Sequence, residues 1–80
     1  MKIRTYGKLA DLLGAERELE TGGPCTVGEL RALLASQCPE AAESLASQRV
    51  LACVDDTVVT ESHLIRPGEA VEFLAPVSGG

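Results

Sequence analysis

Aromatic side chains are almost missing from this chain: one Tyr, one Phe and no Trp. Basic residues are scarce too, seven Lys and Arg against twelve Asp and Glu, for a formal net charge of −5. A module that binds single-stranded nucleic acid needs exposed aromatics for stacking and a basic stripe for phosphates. This chain has neither, so no nucleic acid and no anionic membrane surface is expected as a partner; a basic protein surface suits it better. No apolar run is long enough to span a bilayer, and no signal peptide is legible. The single His and the three cysteines (Cys25, Cys38 and Cys53) contain no C-x-x-C pair, which argues against both a zinc site and a disulfide framework. An odd set of thiols fits a reducing cytoplasm, the expected location. Cys53 reads as a small core residue inside an apolar strand, Cys38 as the end of a helix, and Cys25 as part of a loop.

Catalytic constellations are equally sparse. His63 has Ser62 and Glu61 beside it, but sequence neighbours do not build a triad, and nothing nearby supplies an oxyanion hole. It reads as a turn residue. Asp55 and Asp56 are better explained as a two-residue turn between strands than as a metal clip. Gly22-Gly23 is no phosphate loop, because no Lys-Ser/Thr follows at the required spacing. The chain is expected to act as a substrate or carrier, not as an enzyme working alone.

What the sequence does contain is one domain in 80 residues, with an apolar fraction of 45% that suffices for a single aliphatic core. Lys2 to Tyr6 alternates as a half-buried strand, with Met1, Ile3 and Thr5 on one side and Lys2, Arg4 and Tyr6 on the other. Lys8 to Leu13 reads as a short helical turn stopped by Gly14. Glu16 to Thr21 alternates again, its acidic face marking an edge strand. Thr26 and Glu29 form a capping box for the main helix, whose apolar face carries Val27, Leu30 and Leu34; Pro39 ends it. Glu40 to Ala46 makes a second, shorter helical segment around Leu45. Val50 to Val54 is a continuous apolar run, a covered or central strand. Thr57 to Val59 returns as a brief strand, and Arg66-Pro67-Gly68-Glu69 turns the chain into a last strand, Ala70 to Leu74.

This order predicts an α+β roll, a mixed sheet of four to five strands packed on one main helix with short helical turns. The expected core is Met1, Ile3, Leu19, Leu30, Leu34, Leu51, Cys53, Ile65, Val71 and Phe73. Tyr6 and Leu74 fall on the opposite face of the sheet, where two apolar side chains read as part of a docking patch.

Beyond residues 1–75, the domain proper, stand Pro76-Val77-Ser78-Gly79-Gly80, expected to be a flexible tail. Pro76 cannot donate to a sheet ladder, so pairing stops there. Gly79 and Gly80 lack Cβ atoms and fit a channel too narrow for other residues. Extended, the stretch from Ala75 reaches roughly 20 Å. The group offered at its tip is the α-carboxylate of Gly80.

Taken together, the capped helix from Thr26-Val27, the run Leu51-Ala52-Cys53-Val54-Asp55, the turn Pro67-Gly68-Glu69 before Val71 and the ending Ala75-Pro76-Val77-Ser78-Gly79-Gly80 resemble the small subunits of molybdopterin synthase. These belong to the ubiquitin-like sulfur carriers of β-grasp fold, and the resemblance covers essentially the whole chain. It implies that a ubiquitin-activating-like adenylyltransferase, using ATP and Mg²⁺, adenylates the Gly80 carboxylate. A sulfur donor protein then displaces AMP to leave a thiocarboxylate. It further implies insertion of the tail into the large subunit of molybdopterin synthase, within a heterotetramer, where the sulfur is given to a cyclic pyranopterin phosphate. No cofactor is implied for this chain itself. Tyr6, Val58 and Leu74 occupy positions that contact partners in that family. Ala10 stands where relatives can carry an arginine, and Gly68-Glu69-Ala70-Val71 replaces the more usual Gly-Asp-Glu-Val. Alternatives from the same chemistry are carriers for thiamine, cysteine or tRNA thiolation; the segment from Glu40 to Gln48 argues against a thiamine carrier. A ubiquitin-like protein modifier and a plain interaction module complete the set.

Overall fold

The computed structural model describes residues 1–75. Strand β1 (Lys2–Thr5) leads into helix α1 (Lys8–Leu13) and returns as β2 (Glu16–Glu18). A two-residue strand β3 (Cys25–Thr26) precedes the main helix α2 (Val27–Gln37). A 3-10 turn (Pro39–Ala41) and helix α3 (Ala42–Ala46) follow. Then come β4 (Leu51–Val54), β5 (Thr57–Val59), β6 (Leu64–Ile65) and β7 (Ala70–Leu74). Five strands form one mixed sheet in the order β2-β1-β7-β4-β5, with β1 and β7 parallel and the other pairs antiparallel. β3 and β6 make a separate antiparallel pair. This is the β-grasp architecture: the first and last strands lie side by side at the centre, and α2 covers one face.

Local chemistry accounts for each boundary. The Thr26 hydroxyl accepts from the Glu29 N–H at 3.1 Å, and the Glu29 carboxylate accepts from the Thr26 N–H at 2.8 Å, closing the capping box. Gly14 stops α1 at φ 88° while its N–H reaches back to the Ala10 carbonyl. Asp55 and Asp56 both sit in the left-handed region, φ 52° and 62°, the geometry of a two-residue hairpin turn matched to strand twist. Gly68 at φ 93° follows Pro67, as a type II turn requires, and the Glu69 N–H closes it onto Arg66.

Packing follows the alternation in β1 and β7. Ile3, Val71 and Phe73 are completely buried, and Val27, Leu30 and Leu34 of α2 come down on them. Leu9 and Leu13 of α1, Leu45 of α3, Leu19 and Ile65 close the periphery of the core. Thr5 is the one buried polar residue among those described, and its hydroxyl donates to the Gly14 carbonyl at 2.6 Å.

Three expectations are corrected. Leu51 and Cys53 do not fill the core. Ala52 lies opposite Phe73 and, with Val54, joins the helix-covered side, whereas Leu51 pairs with Leu74 and Cys53 with Glu72 and Val58 on the other face. Residues directly opposite in a ladder share a face, so the register of β4 against β7 decides the matter. Cys53 is nevertheless buried, at 8% exposure, under its neighbours on that outer face. Cys25 is no loop residue: it pairs with Ile65 in the small β3–β6 ladder. Met1, expected inside, is partly buried against the core.

Candidate functional site: the outer sheet face and the root of the C-terminal segment

β7 is the third strand of five, bonded to β1 on one side and β4 on the other. The strand that leads to the C-terminal residues is therefore the middle one, held by a ladder on each side. Leu74, at its end, lies opposite Leu51, and Ala75 follows it out of the sheet. The expected site residues Pro76, Val77, Ser78, Gly79 and Gly80 lie outside the described residues.

The three expected docking residues share one face, away from α2. A row runs across the sheet from Glu16 through Arg4, Glu72 and Cys53 to Val58. Tyr6, just past β1, donates its hydroxyl proton to the Glu72 carboxylate in the middle of that row. This bond raises the Tyr6 phenol above its ordinary value of 10.0, because the protonated form is the one that donates. Tyr6 is 50% exposed and Val58 is 58% exposed; Leu74 is half-buried beside Leu51. The β1–β2 end of the same face is charged: Lys2 lies 3.3 Å and Arg4 3.8 Å from Glu16. The face thus divides into a charged half over β1 and β2 and an apolar half over β4, β5 and the end of β7.

A cleft of about 540 Å³ opens beside the root of the C-terminal segment, between Tyr6, Leu9 and Val50, with Lys8, Arg49 and Ala75 at its rim. Two cations therefore stand where the chain leaves the domain, although the protein as a whole is acidic.

The remaining polar groups among the described residues that the sequence brought forward serve turns and ion pairs. His63 serves a turn, its N–H bonded to the Thr60 carbonyl and its own carbonyl accepting from Val27. Ser62 meets the Thr60 hydroxyl, and Glu61 pairs with Arg31 at 2.9 Å. Among the described residues no three His, Cys, Asp or Glu side chains come together as metal ligands. Burial, and secondarily the charge of Glu29, pushes the Cys25 thiol up, away from the thiolate form that reacts. No described helix is long and apolar enough to cross a membrane.

Sequence reasoning missed Arg31. Its guanidinium donates to the Leu45 carbonyl at 2.7 Å, the Val50 carbonyl at 2.5 Å and Glu61, and its side chain is only 13% exposed. A signal was available: Arg31 stands four residues after Val27 and three before Leu34, inside the apolar stripe of α2.

Residues 3–80 match the ThiS family. Over 80 residues the chain is 30% identical to the molybdopterin synthase sulfur carrier subunit of Escherichia coli (strain K12), covering 100% of this chain and 99% of that protein. Its fold is similar to that of SAMP1 from Haloferax volcanii, at TM-score 0.84 and 17% identity, covering 99% and 97% of the two chains. It is similar also to a putative molybdopterin converting factor, subunit 1, from Pyrococcus furiosus, at TM-score 0.71 and 19% identity, over 95% of each.

Proposed function

The chain belongs to the ThiS family, and on that premise we propose that it is a sulfur carrier of molybdenum cofactor synthesis whose working group is the Gly80 carboxylate. The observation that carries this reading is the extent of the family match, which runs through Gly79 to Gly80, together with a full-length relative named as a molybdopterin synthase sulfur carrier subunit.

The chemistry assigned to Gly80 is stepwise. A carboxylate is a poor acyl donor. An activating adenylyltransferase joins it to AMP from Mg²⁺-bound ATP with loss of pyrophosphate, giving a mixed anhydride with a good leaving group. Hydrosulfide delivered by a sulfur donor protein then attacks the acyl carbon, expelling AMP and losing its proton, and the product is a thiocarboxylate. In the large subunit of molybdopterin synthase this sulfur passes to a cyclic pyranopterin phosphate. The chain is not catalytic alone: its domain holds the tail, and its partners supply the cations and donors that stabilise developing charge. Tyr6, Val58 and Leu74 are assigned to docking, on the ground that they share one face of the sheet, away from α2.

Intact-mass measurement of the protein from its native cell tests the reading. Replacement of one oxygen by sulfur is expected, and deletion of Gly80 is expected to abolish it while the fold persists. Normal sulfur loading of the truncated chain would overturn the proposal. Adducts on lysines of other proteins would instead favour a protein modifier; the likeness to SAMP1, at 17% identity, is one of fold and does not favour it.

A further inference from the structure

The two edges of the five-stranded sheet are built differently. β2 is defended: Glu16 and Glu18 project from it, and Glu16 is tied to Lys2 and Arg4. β5, at the other edge, carries no charge at all, only Thr57, Val58 and Val59, and it pairs with β4 alone. It also contains no proline, and its register against β4 runs without a bulge. Across the two-residue Asp55-Asp56 turn, Val54 and Thr57 form the hydrogen-bonded pair, so the next pair, Cys53 and Val58, is the non-bonded one. Val58 therefore turns its backbone N–H and C=O outward, and no described residue meets them. β-branched strands left open in this way are templates for another strand.

We propose that β5 accepts a strand from a partner protein, aligned on Val58 and carrying a Lys or Arg at the end that passes Asp55 and Asp56. Charge selects this occupant over a second copy of the chain. Both aspartates are exposed and in no ion pair among the described residues, whereas Glu61, beyond the other end of β5, is already held by Arg31. Antiparallel self-pairing centred on Val58 would set Asp55 of each copy beside Glu61 of the other, and parallel pairing would stack the aspartates on themselves. Each copy also carries a net charge of −5. A basic-ended strand meets none of this repulsion. The added strand would continue the sheet beside the Val58 side chain, so backbone pairing and side-chain docking would be contiguous.

This inference rests on the functional reading above, since the partner used as the probe is the large subunit of molybdopterin synthase. Amide hydrogen exchange on the whole chain, free and bound to that subunit, is the direct experiment. Binding is expected to slow exchange at Val58 by about a hundredfold. Val58→Pro, tolerable at an edge position whose N–H serves no ladder, is expected to weaken binding about tenfold more than Val58→Ala, which keeps the N–H. Asp55→Asn with Asp56→Asn, which preserves the left-handed turn, is expected to weaken binding about fivefold and to flatten its salt dependence. Binding with an unprotected Val58 amide, or with Val58→Pro equal to Val58→Ala, overturns the edge assignment and leaves sulfur carriage intact. Protection of Val58 that grows with concentration in the free chain would assign the edge to a second copy and also overturns it. Failure of the unaltered chain to bind the large subunit overturns both readings.

Discussion

Arg31 lies over the ring of Phe73, its guanidinium carbon 5.3 Å from the ring centroid. The cation ties α2 to the sheet at the strand that leads to the C-terminal segment. The same side chain closes the carbonyls of Leu45 and Val50, which would otherwise be left without a donor where α3 hands over to β4. Arg31→Met keeps the apolar stem and removes the donors. It is expected to cost about 2–3 kcal/mol of stability, from lost hydrogen bonds and the cation–π contact. Urea denaturation measures this, and a loss below about 0.5 kcal/mol would show the network to be incidental.

The capping box predicts a defined acid response. Two bonds from Thr26, the backbone N–H first and the side chain second, hold the Glu29 carboxyl below its ordinary value of 4.5. A carboxyl with a lowered folded-state pKa contributes stability that is complete above the unfolded value. That contribution disappears as pH falls through the folded value. Part of the acid unfolding below pH 4.5 is therefore expected to vanish in Glu29→Gln, read as a flatter acid limb of stability against pH. Thr26→Ala is expected to cost about 1 kcal/mol at neutral pH.

If the Gly80 carboxylate carries the sulfur, the thiols do not. Cys38 donates its Sγ proton to the Leu12 carbonyl, Cys25 is pushed away from its thiolate, and Cys53 is buried in the sheet. A chain with all three changed to Ser is expected to gain sulfur normally in the activating reaction, at a stability cost of about 1–3 kcal/mol from the buried hydroxyl at residue 53. Intact mass decides it, and loss of loading in a folded triple variant would move the chemistry to a thiol.

Leu74 sits half-buried on the outer face against Leu51, outside the helix-covered core. Leu74→Glu is expected to weaken binding to the large synthase subunit about tenfold or more. The melting temperature is expected to fall by only a few degrees. Isothermal titration with a thermal melt separates the two effects, and unchanged affinity would place the docking patch elsewhere.

Much of this molecule is local and was legible in its residues. Thr26 and Glu29 start α2, Gly14 stops α1, Asp55-Asp56 and Pro67-Gly68 turn the chain, and the alternation of β1 and β7 names Ile3, Val71 and Phe73 as core. Each of these depends on contacts or torsions within a few residues. The family ending at Gly79-Gly80 is likewise a property of sequence, as is the acidic balance of the chain.

Tertiary structure decided the rest, because it depends on which strand lies beside which. Leu51-Ala52-Cys53-Val54 has no alternation to say which side is inward; only pairing with β7 put Ala52 under the helix and Leu51 outside it. Cys25 and Ile65, 40 residues apart, became neighbours only through the chain's path. The place of Arg31 in the apolar stripe of α2 marks it as inward, but its partners, the carbonyls of Leu45 and Val50, are brought to it only by the fold. The unequal edges, β2 charged and β5 bare, exist only once the strand order is set. A side chain's chemistry is written in the sequence, but its partner is written in the register.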